Sequence, residues 1–107
     1  MLTTTTFTTT AHSKQRLAER FDLAATQQLT TKALYVEKFA HNYHNALCVL
    51  HFAYINNQPA LLISYAATKQ LITVYTTPTK KSQQKFWNHK MKIVLAKLKA
   101  AATTATV

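Results

Sequence analysis

TQQLTTKALYVEKFA, residues 26–40, decides the fold, because it stands between a helical opening and a run of strands. Its apolar residues Leu29, Ala33, Val36 and Ala40 recur at alternating steps of four and three. That is the 3.6-residue period of an amphipathic helix. Phe39 widens the face and Thr26 offers an N-cap hydroxyl, so a helix over 26–40 is expected. Before it, Leu17 and Phe21 stand four apart, with His12, Arg16 and Arg20 as a second row at the same spacing. These positions read as a short helix over 12–21, ended by the break at 22–25.

Beyond residue 44 the texture changes. NALCVLHFAYI (45–55) is apolar, aromatic and β-branched, and it stops at the turn cluster NNQP. ALLISYA (60–66), the short loop ATKQ and LITVYT (71–76) follow, which reads as a three-stranded antiparallel meander. Over 80–101, Trp87, Met91, Val94, Leu95 and Leu98 form an apolar stripe, while Lys85, Lys92 and Lys99 run down another side with Lys90 and Lys97 beside them. A basic amphipathic helix is expected there. The fold class is therefore α+β in the order α-α-β-β-β-α. One domain over 11–101 is expected, between a fraying Thr-rich N-terminus (1–10) and a flexible tail (102–107).

Composition narrows the chemistry. The 107 residues carry 13 Lys plus Arg against three carboxylates, Glu19, Asp22 and Glu37, and there is no glycine. Two-metal phosphate chemistry, paired-carboxylate glycosidases and calcium sites all draw on clustered acids. Glycine-rich nucleotide loops are excluded outright. No cofactor or metal is expected. A formal charge of +10 attracts polyanions, with nucleic acid first and RNA favoured over DNA. An anionic membrane surface and an acidic protein partner are also compatible with it. Cys48 stands alone in an apolar run and reads as a buried thiol. No run approaches the ~20 apolar residues of a membrane helix. MLTTTTFTTT lacks the basic and apolar regions of a secretion signal, so the expected address is cytoplasmic.

The strand register carries the chemical hypothesis. Pairing Ile55 with Ala60 across NNQP, and Ala66 with Leu71 across ATKQ, puts Cys48, Leu50, Phe52, Leu61, Ile63, Tyr65, Ile72 and Val74 on one face. His51, Ser64, Thr73 and Tyr75 then gather on the other. A titratable imidazole beside hydroxyls, with cations near, suits metal-free cleavage of RNA by its own 2′-OH. His51 and Tyr75 would exchange protons, Thr73 and His12 would assist, and Arg16 or Arg20 would hold the phosphate. A solvated sheet face carries the same residue types without catalysis. His41 and His44 have metal-like spacing but no third ligand. His89 stands among lysines, where it suits contact with a polyanion. Phe86 and Trp87 offer rings for base stacking, and Lys69, Lys85, Lys92 and Lys99 offer phosphate contacts. The same helix is also a candidate for self-association or for lying on a membrane surface.

HSKQRLAERFDL and TKQLITVYT resemble small phage- and plasmid-associated domains grouped with the barnase, EndoU, colicin and RelE ribonucleases and toxins. The resemblance rests on His12, Arg16, Arg20, Thr68, Lys69, Thr73, Val74 and Tyr75, and it covers residues 11–77. It implies helices on one side of a curved sheet, an RNA-binding surface on the other, and an acidic antitoxin as partner. The absent turn glycines and the added basic helix depart from it. The sequence thus favours a metal-independent, toxin-type endoribonuclease. The alternative is a non-catalytic phage or mobile-element protein that binds nucleic acid, or inhibits an acidic host protein.

Overall fold

A computed structural model describes residues 2–24, 27–41 and 46–105. They form β1 (Thr3–Thr8), α1 (Ala11–Phe21), β2 (Gln28–His41), β3 (Ala46–Ile55), β4 (Gln58–Tyr65), β5 (Leu71–Tyr75) and α2 (Lys81–Ala105). The strands make one antiparallel sheet in chain order, β1-β2-β3-β4-β5. Residues 2–76 form one compact unit and 77–105 belong to a second, which holds α2.

The expected α-α-β-β-β-α order is corrected to β-α-β-β-β-β-α, and the three-stranded meander becomes a five-stranded sheet. Residues 28–41 are a strand, not a second helix. Thr30, Thr31 and Val36 are β-branched, and Tyr35 and Phe39 are aromatic, which suits a pleated surface. A bulge between Tyr35 and Glu37 breaks the two-residue alternation. Apolar positions on either side of it fall out of phase and so imitate a helical period. The N-terminal threonines, expected to fray, pair with 28–33 as β1, where Phe7 is fully buried opposite Leu29. The last helix runs past the expected end at residue 101.

Local chemistry fixes the elements around β1. Thr10 caps α1: its hydroxyl accepts from the Ser13 N–H while the Ser13 Oγ accepts from the Thr10 N–H at 2.7 Å. At the other end Asp22 takes a left-handed backbone, φ 52°, and both its N–H and that of Leu23 return to the Leu17 carbonyl. Leu17 and Phe21 pack on the inner face of the sheet against Phe7, Leu29, Ala53, Leu62, Leu71 and Val74. The chain leaving β1 closes toward the far edge. Thr8 bridges Gln70 in parallel, and the Thr8 N–H donates to the Lys69 carbonyl at 3.1 Å.

The β3–β4 hairpin turns on two residues, Asn56 and Asn57, with φ of 49° and 64°. Two successive positive φ values mark a type I′ turn, and asparagine tolerates them best after glycine. Ile55 consequently pairs with Gln58 rather than Ala60, and His51 lies opposite Leu62. The Asn56 amide also donates to the Phe21 carbonyl at 2.7 Å, tying the turn to the end of α1. The β4–β5 pairing differs from expectation by one residue, with Leu62 opposite Val74 and Leu61 opposite Tyr75.

Asn57→Gly should raise stability by about 0.5–1 kcal/mol by relieving the left-handed backbone. Asn56→Ala should cost about 1–3 kcal/mol through backbone strain and the orphaned Phe21 carbonyl. Equilibrium urea unfolding measures both.

Candidate functional site

A two-residue shift keeps side chains on their face, and a one-residue shift reverses them. The β3–β4 correction is of the first kind and leaves His51 and Ser64 together on the inner face. The β4–β5 correction is of the second kind. Thr73 and Tyr75 stand opposite Ile63 and Leu61 on the outer face, and Val74 turns inward into the core. The four polar residues expected on one surface are thus divided between two.

His51 is not at a surface. It is 8 % exposed, edge-on to the Phe7 ring at 5.0 Å and the Tyr35 ring at 6.0 Å. Its pKa is lowered from 6.5 to about 4, first by burial and second by the positive charge of Lys69. At neutral pH the ring is uncharged. Its Nδ1 and the Ser64 Oγ are buried without a hydrogen-bond partner among the described residues. The two sit diagonally across the β3–β4 ladder, since Ser64 pairs with Val49 and His51 with Leu62. This is an interior imidazole rather than an accessible acid or base.

The α1 row is placed as expected but is engaged within the fold. His12 is exposed, Arg16 pairs with Glu19 at 3.3 Å, and Arg20 donates to the Val74 carbonyl. A pair such as Arg16–Glu19, on an open surface, contributes about 0–1 kcal/mol. Arg20 ties α1 to β5, which suits a structural tie better than a phosphate clamp. Lys69 is an exposed turn residue with φ 59°. His41 ends β2, whereas His44 lies outside the described residues. Among the described residues no group of three or more His, Cys, Asp or Glu could hold a metal. Cys48 is fully buried, with its Sγ 3.6 Å from the Ala46 carbonyl. A shallow apolar groove of about 540 Å³ lies between Ala46, Leu47, Tyr65, Ala66, Ala67, Thr68 and Gln70. It holds no catalytic pair.

The accessible cationic surface is on α2. Trp87 and Val94 are its buried positions, with Met91, Leu98 and Ala101 partly covered along the same stripe. Leu95, expected in that stripe, is 60 % exposed. Trp87, expected to stack on bases, is only 8 % exposed and does not present its ring. Phe86 is half-buried under the Lys90 ammonium, 5.7 Å from the ring centre. On the open side Lys81, Gln84, Lys85, Asn88, His89 and Lys92 line a concavity of about 570 Å³. Lys99 continues the line of Lys85 and Lys92 and is exposed. Successive members stand about 10.5 Å apart along the axis, at 1.5 Å per residue. No carboxylate occurs after Glu37, so no acidic side chain of α2 competes for these cations.

No helix among the described residues is long and apolar enough to cross a membrane. No family model, curated protein or solved structure matches this chain.

Because the His51 pKa lies below its unfolded value, the unfolded chain binds the extra proton first. The contribution of a neutral His51 is complete above pH 6.5 and is lost as pH falls toward about 4. Over that window the cost should reach about 3 kcal/mol at 1.36 kcal/mol per pKa unit. His51→Leu should flatten this limb of a stability–pH curve measured by urea unfolding. An unchanged limb would assign the acid sensitivity to other groups.

Proposed function

We propose that this protein is a non-catalytic nucleic-acid-binding protein that holds the phosphate backbone through the open face of α2. The observation that carries this reading is the exposed set Lys81, Lys85, His89 and Lys92 on one side of a helix without carboxylates. Lys80, Lys81, Lys85, Lys90, Lys92, Lys97 and Lys99 make this the most cationic part of a +10 chain. A field of one sign raises the local concentration of polyanions and speeds their encounter. Lysines meet phosphates as point charges and need no fixed fork geometry. Such a role fits a cytoplasmic setting, where nucleic acid is at hand.

Cleavage is left out of this reading. Thr73 and Tyr75 lie on the opposite face from His51, and His51 is buried and uncharged at neutral pH. A scissile phosphate needs its base and acid within hydrogen-bond reach of one another's substrate atoms.

Each phosphate contact should contribute about −0.9 to the slope of log affinity against log salt. Fluorescence anisotropy with labelled oligonucleotides should therefore show steep salt dependence. Lys85→Ala with Lys92→Ala should reduce the slope by about 2. Binding that ignores both salt and these substitutions would defeat the proposal, as would a salt-insensitive complex with an acidic protein only. RNA incubated with the protein in EDTA should stay intact. The appearance of 2′,3′-cyclic phosphate ends would restore the ribonuclease reading.

A further inference from the structure

The open face of α2 is not purely cationic. At its centre Gln84 and Asn88 stand one turn apart, with Lys81 toward the N-terminus, Lys85 between them and Lys92 beyond them. All five are exposed, and among the described residues no hydrogen bond or ion pair occupies the side chains of Gln84, Asn88, Lys85 or Lys92. A surface built for phosphate alone needs only the charges. Paired carboxamides between cations add a second kind of recognition, because each offers a donor and an acceptor side by side.

From this juxtaposition the geometry points to base reading in the major groove of duplex DNA, with Gln84 and Asn88 each taking an adenine edge and Lys81, Lys85 and Lys92 holding the flanking backbone. This rests on the nucleic-acid reading above and narrows its ligand. The carboxamide matches the N6 donor and N7 acceptor of adenine in the major groove, a pattern no other base presents there. Gln84 and Asn88 rise about 6 Å along the helix from one to the other, close to two base-pair steps of B-form DNA. A helix about 10–12 Å across with its side chains fits a groove about 12 Å wide. The deep, narrow major groove of A-form RNA would not admit it. The five residues fall in the first half of α2, the part of a recognition helix that meets base edges when its N-terminal end enters a groove. Trp87 and Val94, the buried positions, are not among them.

The test compares short duplexes by anisotropy at one salt concentration: A·T-containing DNA, G·C-only DNA, the A·T duplex with 7-deazaadenine, and the matching RNA duplex. The 7-deaza base lacks the N7 acceptor of the major groove and leaves the minor groove unchanged. The A·T duplex should bind about tenfold or more tighter than each of the other three. Gln84→Ala with Asn88→Ala should erase the preference over the G·C-only and 7-deazaadenine duplexes while the salt slope stays as in the parent protein. Circular dichroism checks that the variant keeps its helix. Equal binding of all four duplexes with a steep salt slope overturns base reading and leaves backbone binding standing. RNA bound as tightly as DNA overturns it too. Absence of salt-dependent binding to every duplex overturns both.

Discussion

The register of the central hairpin depends on two asparagines holding a backbone that glycine usually supplies. The chain contains no glycine, so left-handed residues must come from types that tolerate the crowding. Asn56 and Asn57 do so in the β3–β4 turn, and Asp22 and Lys69 do so elsewhere. A left-handed non-glycine residue costs roughly 1–2 kcal/mol. Asn56 offsets part of that by closing the end of α1 through the Phe21 carbonyl. The turn thus sets which side chains of β3 and β4 face each other, and Asn56 ties the end of α1 to it. Shifted by one position, the hairpin would set Leu61, buried on the other face of the sheet, in place of Leu62 against Leu17 and Phe21.

From that register follows the state of His51. The inner face is lined by Phe7, Ala53, Leu62 and Val74 and covered by Leu17 and Phe21 of α1. An imidazole held there against two aromatic edges is shielded from solvent, and its Nδ1 meets no hydrogen-bond partner among the described residues. Desolvation penalises the charged form, and the Lys69 charge adds to it. Lys69 is near because the chain after β1 meets the β4–β5 turn, where its carbonyl accepts from Thr8. The same closure that buries Phe7 therefore brings a cation close to the one interior base among the described residues.

Much of this was legible in the residues, and the failures have physical causes. The α1 period, its break after Phe21, the three strands from residue 46 onward and the basic amphipathic α2 could all be read directly. β2 was hidden by its bulge, which puts Ala33 and Ala40, seven residues apart, on one face with Val36 at the irregularity between them. β1 was hidden by its low complexity, although a run of β-branched threonines with one Phe is sound strand chemistry. The catalytic grouping failed at a single residue of register between β4 and β5. Loop length alone does not specify that register when the ladder shifts between Ile63 and Ser64. The cations of α2 needed no register, because helical periodicity already placed them on one side.

β1 forms one margin of the sheet, and Thr3, Thr4 and Thr6 stand exposed along it. Short hydroxylated side chains neither block nor repel an approaching strand, and the margin carries no lysine or proline to protect it. Its defence is collective: molecules carrying +10 repel one another before two such margins can meet. That defence is screened within a Debye length of about 8 Å at physiological salt and about 3 Å at 1 M. Colloidal stability and polyanion release therefore pull against each other. The screening that weakens any contact with a polyanion also lets copies of this chain approach edge to edge.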